Sequence, residues 1–200
     1  MRTSYLFKNA NLILTDFNEL QEGYDVLVQD NEICAVSKTP THSDATIVET
    51  KGMTLMPGLI DSLIQRIESA EVNNLAPSII ENLKKTHQMS QQVYKWAKKY
   101  QLNIGFGIDL WGPEAQKEKT REFEMRQELD LPINIIRSAT EVNANLLMQK
   151  DKLGTIASGA YADLLVVRGN PLIDLELLYY LKDNLMLIMK DGVIYKNLLH

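Results

Sequence analysis

The sequence predicts an α/β fold in which both chain ends form one β-rich subdomain and the middle of the chain is mostly helical. Short β-branched segments separated by turn-forming residues fill the first part of the chain, and strand-like runs return towards the C-terminus. Between them, apolar residues recur at helical spacing. Because two β-rich ends can pair with each other, we expect a composite subdomain from residues 1–60 and 148–200, with residues 61–147 between them.

The N-terminal strands are predicted to form a meander. They are rich in β-branched side chains, and Glu22-Gly23 and Asp30-Asn31 are typical of the turns between them. The predicted strands are Asn11–Thr15, Tyr24–Val28, Glu32–Val36 and Thr46–Val48.

The middle of the chain begins with a predicted helix from Gln91 to Tyr100, which has Ser90 as its N-cap. Four of its residues are spaced to form one apolar stripe: Val93, Trp96, Ala97 and Tyr100. We expect this stripe, including Trp96 and Tyr100, to pack in the protein core rather than to stack on a ligand.

A buried strand and two helices are predicted next. The run Asn103–Asp109 is apolar and glycine-rich, and it ends in a carboxylate. The helices are predicted from about Lys119 to Leu129 and from Asn134 to Leu147.

The C-terminal part predicts a buried strand and a hairpin. Asp163–Val167 is a continuous apolar run, which is typical of a strand buried on both faces. Leu185–Lys190 and Val193–Lys196 are joined by Asp191-Gly192, and Asp-Gly readily adopts the positive φ angles of a two-residue hairpin turn.

Composition argues against several kinds of partner. The 21 basic and 26 acidic residues give a net charge of -5 and no basic patch stands out, so we expect no nucleic-acid partner. A single cysteine, Cys34, excludes an internal disulfide, fits a reducing compartment and is expected to be an ordinary strand or core residue. The N-terminus lacks the apolar core of a signal peptide, and no apolar run approaches the ~20 residues that span a bilayer. We therefore expect a cytoplasmic protein with no membrane partner.

Two longer motifs resemble those of a known family. Met56–Asp61, the opening motif, resembles the sequence that leads into the catalytic barrel of the amidohydrolase superfamily. Leu153–Leu164, the closing motif, resembles the sequence that leaves that barrel. The resemblance is strongest to the imidazolonepropionase-related and proline-dipeptidase-like branch. Further matches are Asn170-Pro171-Leu172, Met189–Ile194, Arg137–Thr140, Asn143–Leu147 and Gly105–Asp109, the last resembling the final barrel strand.

The resemblance implies a (β/α)8 barrel, but the chain is too short to hold one. Such a barrel takes about 250 residues, and this chain has 200 including its β-rich ends. We therefore expect the segment between the two motifs to be a truncated remnant of a (β/α)8 metal-dependent hydrolase barrel.

The resemblance also implies one or two divalent metals, held by a His-x-His pair after the first strand and by further ligands that include two more histidines. Here the pair reads Leu63 and Gln65; leucine has no donor atom and glutamine is a poor neutral ligand for zinc. The three histidines of the chain, His42, His87 and His200, are far apart in sequence. We therefore predict no metal and no other cofactor.

Asp109 matches the position of the family's catalytic aspartate, and two interpretations of it are open. It is either a proton shuttle or a relic that caps a helix or pairs with Arg121 or Arg137. A lone carboxylate acting as general base supplies only about 10²- to 10⁴-fold, which favours the relic. Asp61 is expected to be structural, at the end of its strand.

The resulting hypothesis is a degenerate, non-catalytic amidohydrolase-like protein with a binding or assembly role, whose small-molecule ligand the sequence does not identify. The alternative is a metal-dependent hydrolase acting on C–N bonds other than peptide bonds, such as those of cyclic amides. Its site would be rebuilt from Asp109, Asp61 or His87, or shared between subunits. A shortened barrel leaves apolar edges and faces to be buried, so we expect a homo-oligomer, a two-fold dimer, with Trp96 and Trp111 as candidate contacts.

Overall fold

The computed structural model describes residues 3–39, 44–60, 77–107 and 120–199. Within these ranges, one sheet takes five strands from the N-terminal part of the chain and three from the C-terminal part. The strands are β1 (Ser4–Leu12), β2 (Gln21–Gln29), β3 (Glu32–Ser37), β4 (Thr46–Glu49), β5 (Thr54–Pro57), β6 (Leu164–Val167), β7 (Leu185–Lys190) and β8 (Val193–Asn197). The predicted α/β fold, with a β-rich unit from both chain ends, is confirmed.

The strand order is β3-β2-β1-β5-β6-β7-β8, with β4 also paired to β1. The two chain ends meet where β5 pairs antiparallel with β6, with Met56 opposite Leu165. Only β1, β2 and β3 form the predicted meander, because β4 and β5 pair parallel with β1. The strand β1 begins at Ser4 rather than at Asn11, and this extra length gives β4 a partner.

The predicted C-terminal hairpin is confirmed. Its turn residues Asp191 and Gly192 have φ angles of 51° and 71°, as a two-residue turn with two positive φ angles requires. The turn packs on the β2–β3 turn, where the Asn31 side chain donates to the Asp191 carboxylate at 3.1 Å. A Cβ atom on Gly192 would lie 1.7 Å from the carbonyl oxygen of Asp30, so only glycine fits this position.

The strand β6 separates two hydrophobic cores. Leu164 and Val166 pack into a core formed by the strands, together with residues such as Phe7. Leu165 and Val167 pack on the opposite side, in a core shared with the helices. Burial on both faces, as predicted for this run, is thus confirmed.

The described residues between β5 and β6 form helices and no strand. The helices are α1 (Pro77–Lys99), α2 (Arg121–Gln127), α3 (Pro132–Arg137), a π-helical turn (Ser138–Val142) and α4 (Asn143–Leu146); a 3-10 turn (Leu175–Leu178) and α5 (Leu181–Asn184) follow β6. Ser90 is not an N-cap, because α1 begins at Pro77 and continues through it. The run 103–107 is not a strand, since no described strand lies beside it.

The apolar stripe predicted on the first helix faces outward. Val93, Trp96 and Tyr100 are exposed, so the prediction that Trp96 and Tyr100 belong to the core is wrong. Tyr94, next to this stripe, is buried instead. Its hydroxyl donates a hydrogen bond to Asp130, so the face of α1 that carries Tyr94 is the one that packs on the rest of the protein.

Cys34 lies in β3, as expected for an ordinary strand residue, and its side chain is exposed. In the part of the chain that the structure describes, no helix is both long and apolar enough to cross a membrane.

Candidate functional site

The predicted site residues follow two segments that the structure brings together. The residues just before Asp61 and Asp109 are described, and they end at Ile60 and Gly107. The site positions themselves lie outside the described residues: Asp61, Leu63, Gln65 and Asp109, together with Trp111, His42 and His200. His87 lies in α1, but its side chain is not among those described.

One asparagine joins the two segments. The Asn143 amide nitrogen donates to the carbonyl oxygens of Ile60 and Phe106, both at 2.5 Å, and the amide oxygen accepts from the Phe106 backbone N–H at 3.0 Å. Its side chain is completely buried. The first and last strands of a closed barrel are neighbours. Asn143 thus joins the segment that resembles the entry into such a barrel to the segment that resembles its last strand, and we call Ile60, Phe106 and Asn143 the seam.

A buried ion pair holds the backbone on either side of Phe106. Glu122 accepts a hydrogen bond from the Gly107 backbone N–H at 2.6 Å, and Arg126 donates to the Gly105 carbonyl oxygen at 2.5 Å. Glu122 and Arg126 lie one helical turn apart on α2 and pair directly with each other. Buried backbone groups need hydrogen-bond partners, and here side chains supply what a neighbouring strand would supply in a barrel.

Aromatic rings enclose the Arg126 guanidinium. Its central carbon lies 5.3 Å from the ring centroids of both Tyr94 and Phe106. The Phe106 ring in turn packs against Phe123, with centroids 4.4 Å apart. Arg126 Nε and Nη1 are buried without a hydrogen-bond partner in the ranges that the structure describes, so ring faces and Glu122 stabilise this charge.

Asp130 anchors α1 beside this ion pair. Its carboxylate accepts hydrogen bonds from the Tyr94 hydroxyl at 2.9 Å, the Asn134 amide at 2.7 Å, the Leu131 N–H at 2.8 Å and the Lys98 ammonium. Burial alone would raise the pKa of Asp130, but these hydrogen bonds outweigh it and hold the pKa below its ordinary value. Burial, helped by the Asp130 charge, raises the pKa of Tyr94 well above its ordinary value, so Tyr94 remains a neutral donor.

The opening and closing motifs contact each other directly. The Gly58 N–H donates to the Asp163 carbonyl oxygen at 2.8 Å. The Asp163 carboxylate pairs with Lys190 and accepts from the Asp191 N–H at 2.7 Å. The closing motif is thereby tied both to the opening motif and to the C-terminal hairpin.

The π-helical turn connects the closing motif with the seam. The Ile60 N–H donates to the Ala139 carbonyl oxygen of this turn at 2.7 Å. On its other side lies Gly154, whose φ is +70° and where a Cβ atom would be 2.5 Å from the Thr140 carbonyl. The glycine of the closing motif is therefore required by this close approach.

The described residues do not include the positions of the ligand pair and the aspartate that the resemblance implies. They contain no group of three His, Cys, Asp or Glu side chains that could hold a metal ion. The pair expected to begin the ligand set reads Leu63 and Gln65, which offers no strong zinc donor.

Sequence reasoning did not identify Asn143, Glu122 or Arg126 as members of the site. Asn143 is visible in the helical run Ser138–Leu147, but that run also contains Thr140, Glu141 and Asn145, so its sequence does not single out a buried hydrogen-bonding residue. The spacing of Glu122 and Arg126 was equally visible, but it is also typical of exposed helix faces.

Solved structures share this architecture. A crystal structure described as an amidohydrolase matches with a TM-score of 0.87 at 18% identity, over 99% of this chain and 100% of that chain. A prolidase complexed with N-methylphosphonate-L-proline matches with a TM-score of 0.85 at 13% identity, over 98% and 100%. The ochratoxinase of A. niger matches with a TM-score of 0.79 at 11% identity, over 98% and 96%.

The chain has the amidohydrolase fold. The resemblance drawn from the opening and closing motifs is thus confirmed at the level of the fold. No family model and no curated protein matches the sequence. The closer resemblance to the imidazolonepropionase-related branch stays a prediction.

Proposed function

We propose that this chain is a non-catalytic protein of amidohydrolase type, which uses the inherited framework for binding or assembly. The observation that carries the proposal is the seam. The backbone that leads to Asp61 and to Asp109 is held by Asn143, and flanking groups are held by Glu122 and Arg126. The chain's own helices therefore hold the backbone next to the positions that match the family's site residues.

The chemistry of the ligand positions supports the same proposal. A catalytic zinc lowers the pKa of its bound water from 15.7 to about 7. With leucine at position 63 and glutamine at position 65, the first ligand pair cannot contribute to such a shift. Asp109 acting alone would supply about 10²- to 10⁴-fold, well below what amide hydrolysis by an enzyme requires.

The alternative is a metal-dependent hydrolase of C–N bonds in cyclic amides, with a rebuilt site or one shared between subunits. It is favoured by the shared fold with a prolidase and with an ochratoxinase. Asp109 would then be the proton shuttle, and His87 or Asp61 would be among the ligands.

Metal content separates the two proposals. The protein would be produced with added zinc, manganese and iron, freed of loosely bound metal by a chelator, and measured by elemental mass spectrometry. We expect far less than one metal ion per chain, and no turnover of proline dipeptides or cyclic amides. Stoichiometric metal that is lost in Asp109→Asn, but kept in the exposed control Asp151→Asn, would overturn the proposal.

The predicted two-fold dimer belongs to the same proposal, as the simplest assembly that would cover surface left by a shortened barrel. Light scattering coupled to size exclusion should give twice the mass of 22.8 kDa. A mass of one chain at all concentrations would contradict it.

A further inference from the structure

The outward face of α1 carries a continuous apolar stripe. Met89, Val93, Trp96 and Tyr100 fall within a sector of about 60° on a helix of 3.6 residues per turn. Val93 and Trp96 are each 55% exposed, and Tyr100 is 68% exposed. Together with Leu102 they line an open groove at the C-terminal end of the helix. Exposed apolar surface of this kind marks an interaction site.

The same helix is basic, with five lysines and one acidic residue, Glu81, although the whole chain has a net charge of -5. The segment Asn82–Leu102 contains five lysines and no acidic residue. Three of them, Lys85, Lys95 and Lys99, are exposed and fall within a sector of about 80° directly beside the apolar stripe. The buried Tyr94 lies on the opposite flank, so the stripe is bordered by the protein on one side and by lysines on the other.

The charge and the side-chain types of this face of α1 together indicate the kind of partner that it would bind. A helix with an apolar stripe containing tryptophan and a lysine-rich border is typical of helices that lie in a membrane interface. Trp96 and Tyr100 combine an apolar ring with a polar group, which suits the headgroup region, and lysine stems reach outward to anionic headgroups. A two-fold contact between two copies of this face would crowd their lysines together. Aliphatic side chains such as Met89 and Val93 would make few favourable contacts with a nucleic acid.

We propose that this face of α1, formed by the stripe and its three lysines, docks the protein on an anionic lipid surface. A helix that lies on a bilayer needs no spanning run, so the absence of such a run from the sequence does not bear on this mode of binding. The Tyr94 and Lys98 contacts to Asp130 hold the opposite flank of α1 on the protein, so the face is presented without unfolding the helix. This assignment removes Trp96 from the candidate contacts of the predicted dimer, which would then use a different surface.

The test is flotation of the full chain with vesicles of phosphatidylcholine containing phosphatidylserine, beside vesicles of phosphatidylcholine alone. We expect flotation only with phosphatidylserine, and its loss as salt is raised. Each lysine near such a surface contributes about a factor of five in affinity, so Lys95→Gln with Lys99→Gln should weaken binding about 25-fold. Lys150→Gln with Lys182→Gln, two exposed lysines elsewhere, is the matched control and should bind as the parent does.

The apolar part of the face is tested separately. Val93→Ser should weaken binding, whereas Val193→Ser, at a valine of nearly equal exposure (54%) on β8, should not. Because the chain has two tryptophans, Trp111→Phe leaves Trp96 as the sole reporter, and its emission should shift to the blue when vesicles with phosphatidylserine are added. Thermal unfolding of every variant checks that it is folded.

Three results would overturn the proposal. One is the absence of flotation with phosphatidylserine vesicles at low salt. Another is equal binding by Val93→Ser and Val193→Ser. The third is a blue shift of Trp96 that depends on protein concentration without vesicles and accompanies a doubled mass in solution, because it would assign the stripe to a second copy of this chain.

Discussion

Asn143→Ala should lower the free energy of unfolding by about 3–5 kcal/mol. The substitution removes three hydrogen bonds to backbone groups, namely the carbonyl and N–H of the buried Phe106 and the carbonyl of the half-buried Ile60. Loss of a partner in the interior costs about 1–3 kcal/mol per group, and water that enters the space left by the amide recovers part of it. Since a domain of ordinary stability has about 5–15 kcal/mol in total, this single amide would account for a large share.

The measurement is urea unfolding followed by circular dichroism, with Asn145→Ala as the matched control. Asn145 lies on the same helix, but its side chain is exposed, so its replacement should change stability by no more than about 0.5 kcal/mol. The reasoning fails if the two variants unfold within about 1 kcal/mol of each other. In that case packing around Phe106 would stabilise the seam, and the hydrogen bonds of the Asn143 amide would orient the backbone without adding to stability.

Two further predictions concern the frame around the seam. Gly192→Ala should lower the free energy of unfolding by roughly 3 kcal/mol or more, because the added Cβ atom would overlap the carbonyl oxygen of Asp30. The control Gly159→Ala is also at positive φ but in open space, and it should cost only about 1–2 kcal/mol. Similar losses for the two variants in urea unfolding would argue against the clash. Because the pKa of Asp130 is held below its ordinary value, its contribution to stability is complete above the unfolded pKa of about 4 and is lost as the pH falls through the lower folded value. The gap in unfolding free energy between the parent and Asp130→Asn should therefore be constant from pH 7 to about 5 and shrink below about 4; a gap that does not change with pH would refute this account.

Local signals were sufficient to predict much of the sheet. Asp-Gly favours the positive φ angles that Asp191 and Gly192 adopt, so the last hairpin could be predicted from a few neighbouring residues. The buried strand β6 was predicted from an uninterrupted apolar run, and it does lie between two cores. The parallel pairing of β4 and β5 with β1 could not be predicted in this way, because it depends on residues distant in sequence.

The helical middle was harder to predict for a physical reason. The spacing of Val93, Trp96 and Tyr100 shows that they share one face of α1, but periodicity alone does not say whether that face meets the core. The orientation is set by Tyr94, whose hydroxyl and ring reach Asp130 and Arg126 on other elements. A contact of this type is visible only once the chain is folded.

The seam links the fold to the proposed loss of catalysis. A strand in a barrel has its backbone groups bound by its two neighbours, and a chain that loses a neighbour must satisfy those groups in another way or unfold locally. Here Asn143, Glu122 and Arg126 bind the groups around Phe106, and each of them is buried at the cost of desolvating a polar or charged side chain. Because such groups stabilise the folded chain only while their hydrogen bonds are made, Asn143, Glu122 and Arg126 together hold the backbone that ends at Gly107 in one shape, whether or not a metal is bound nearby.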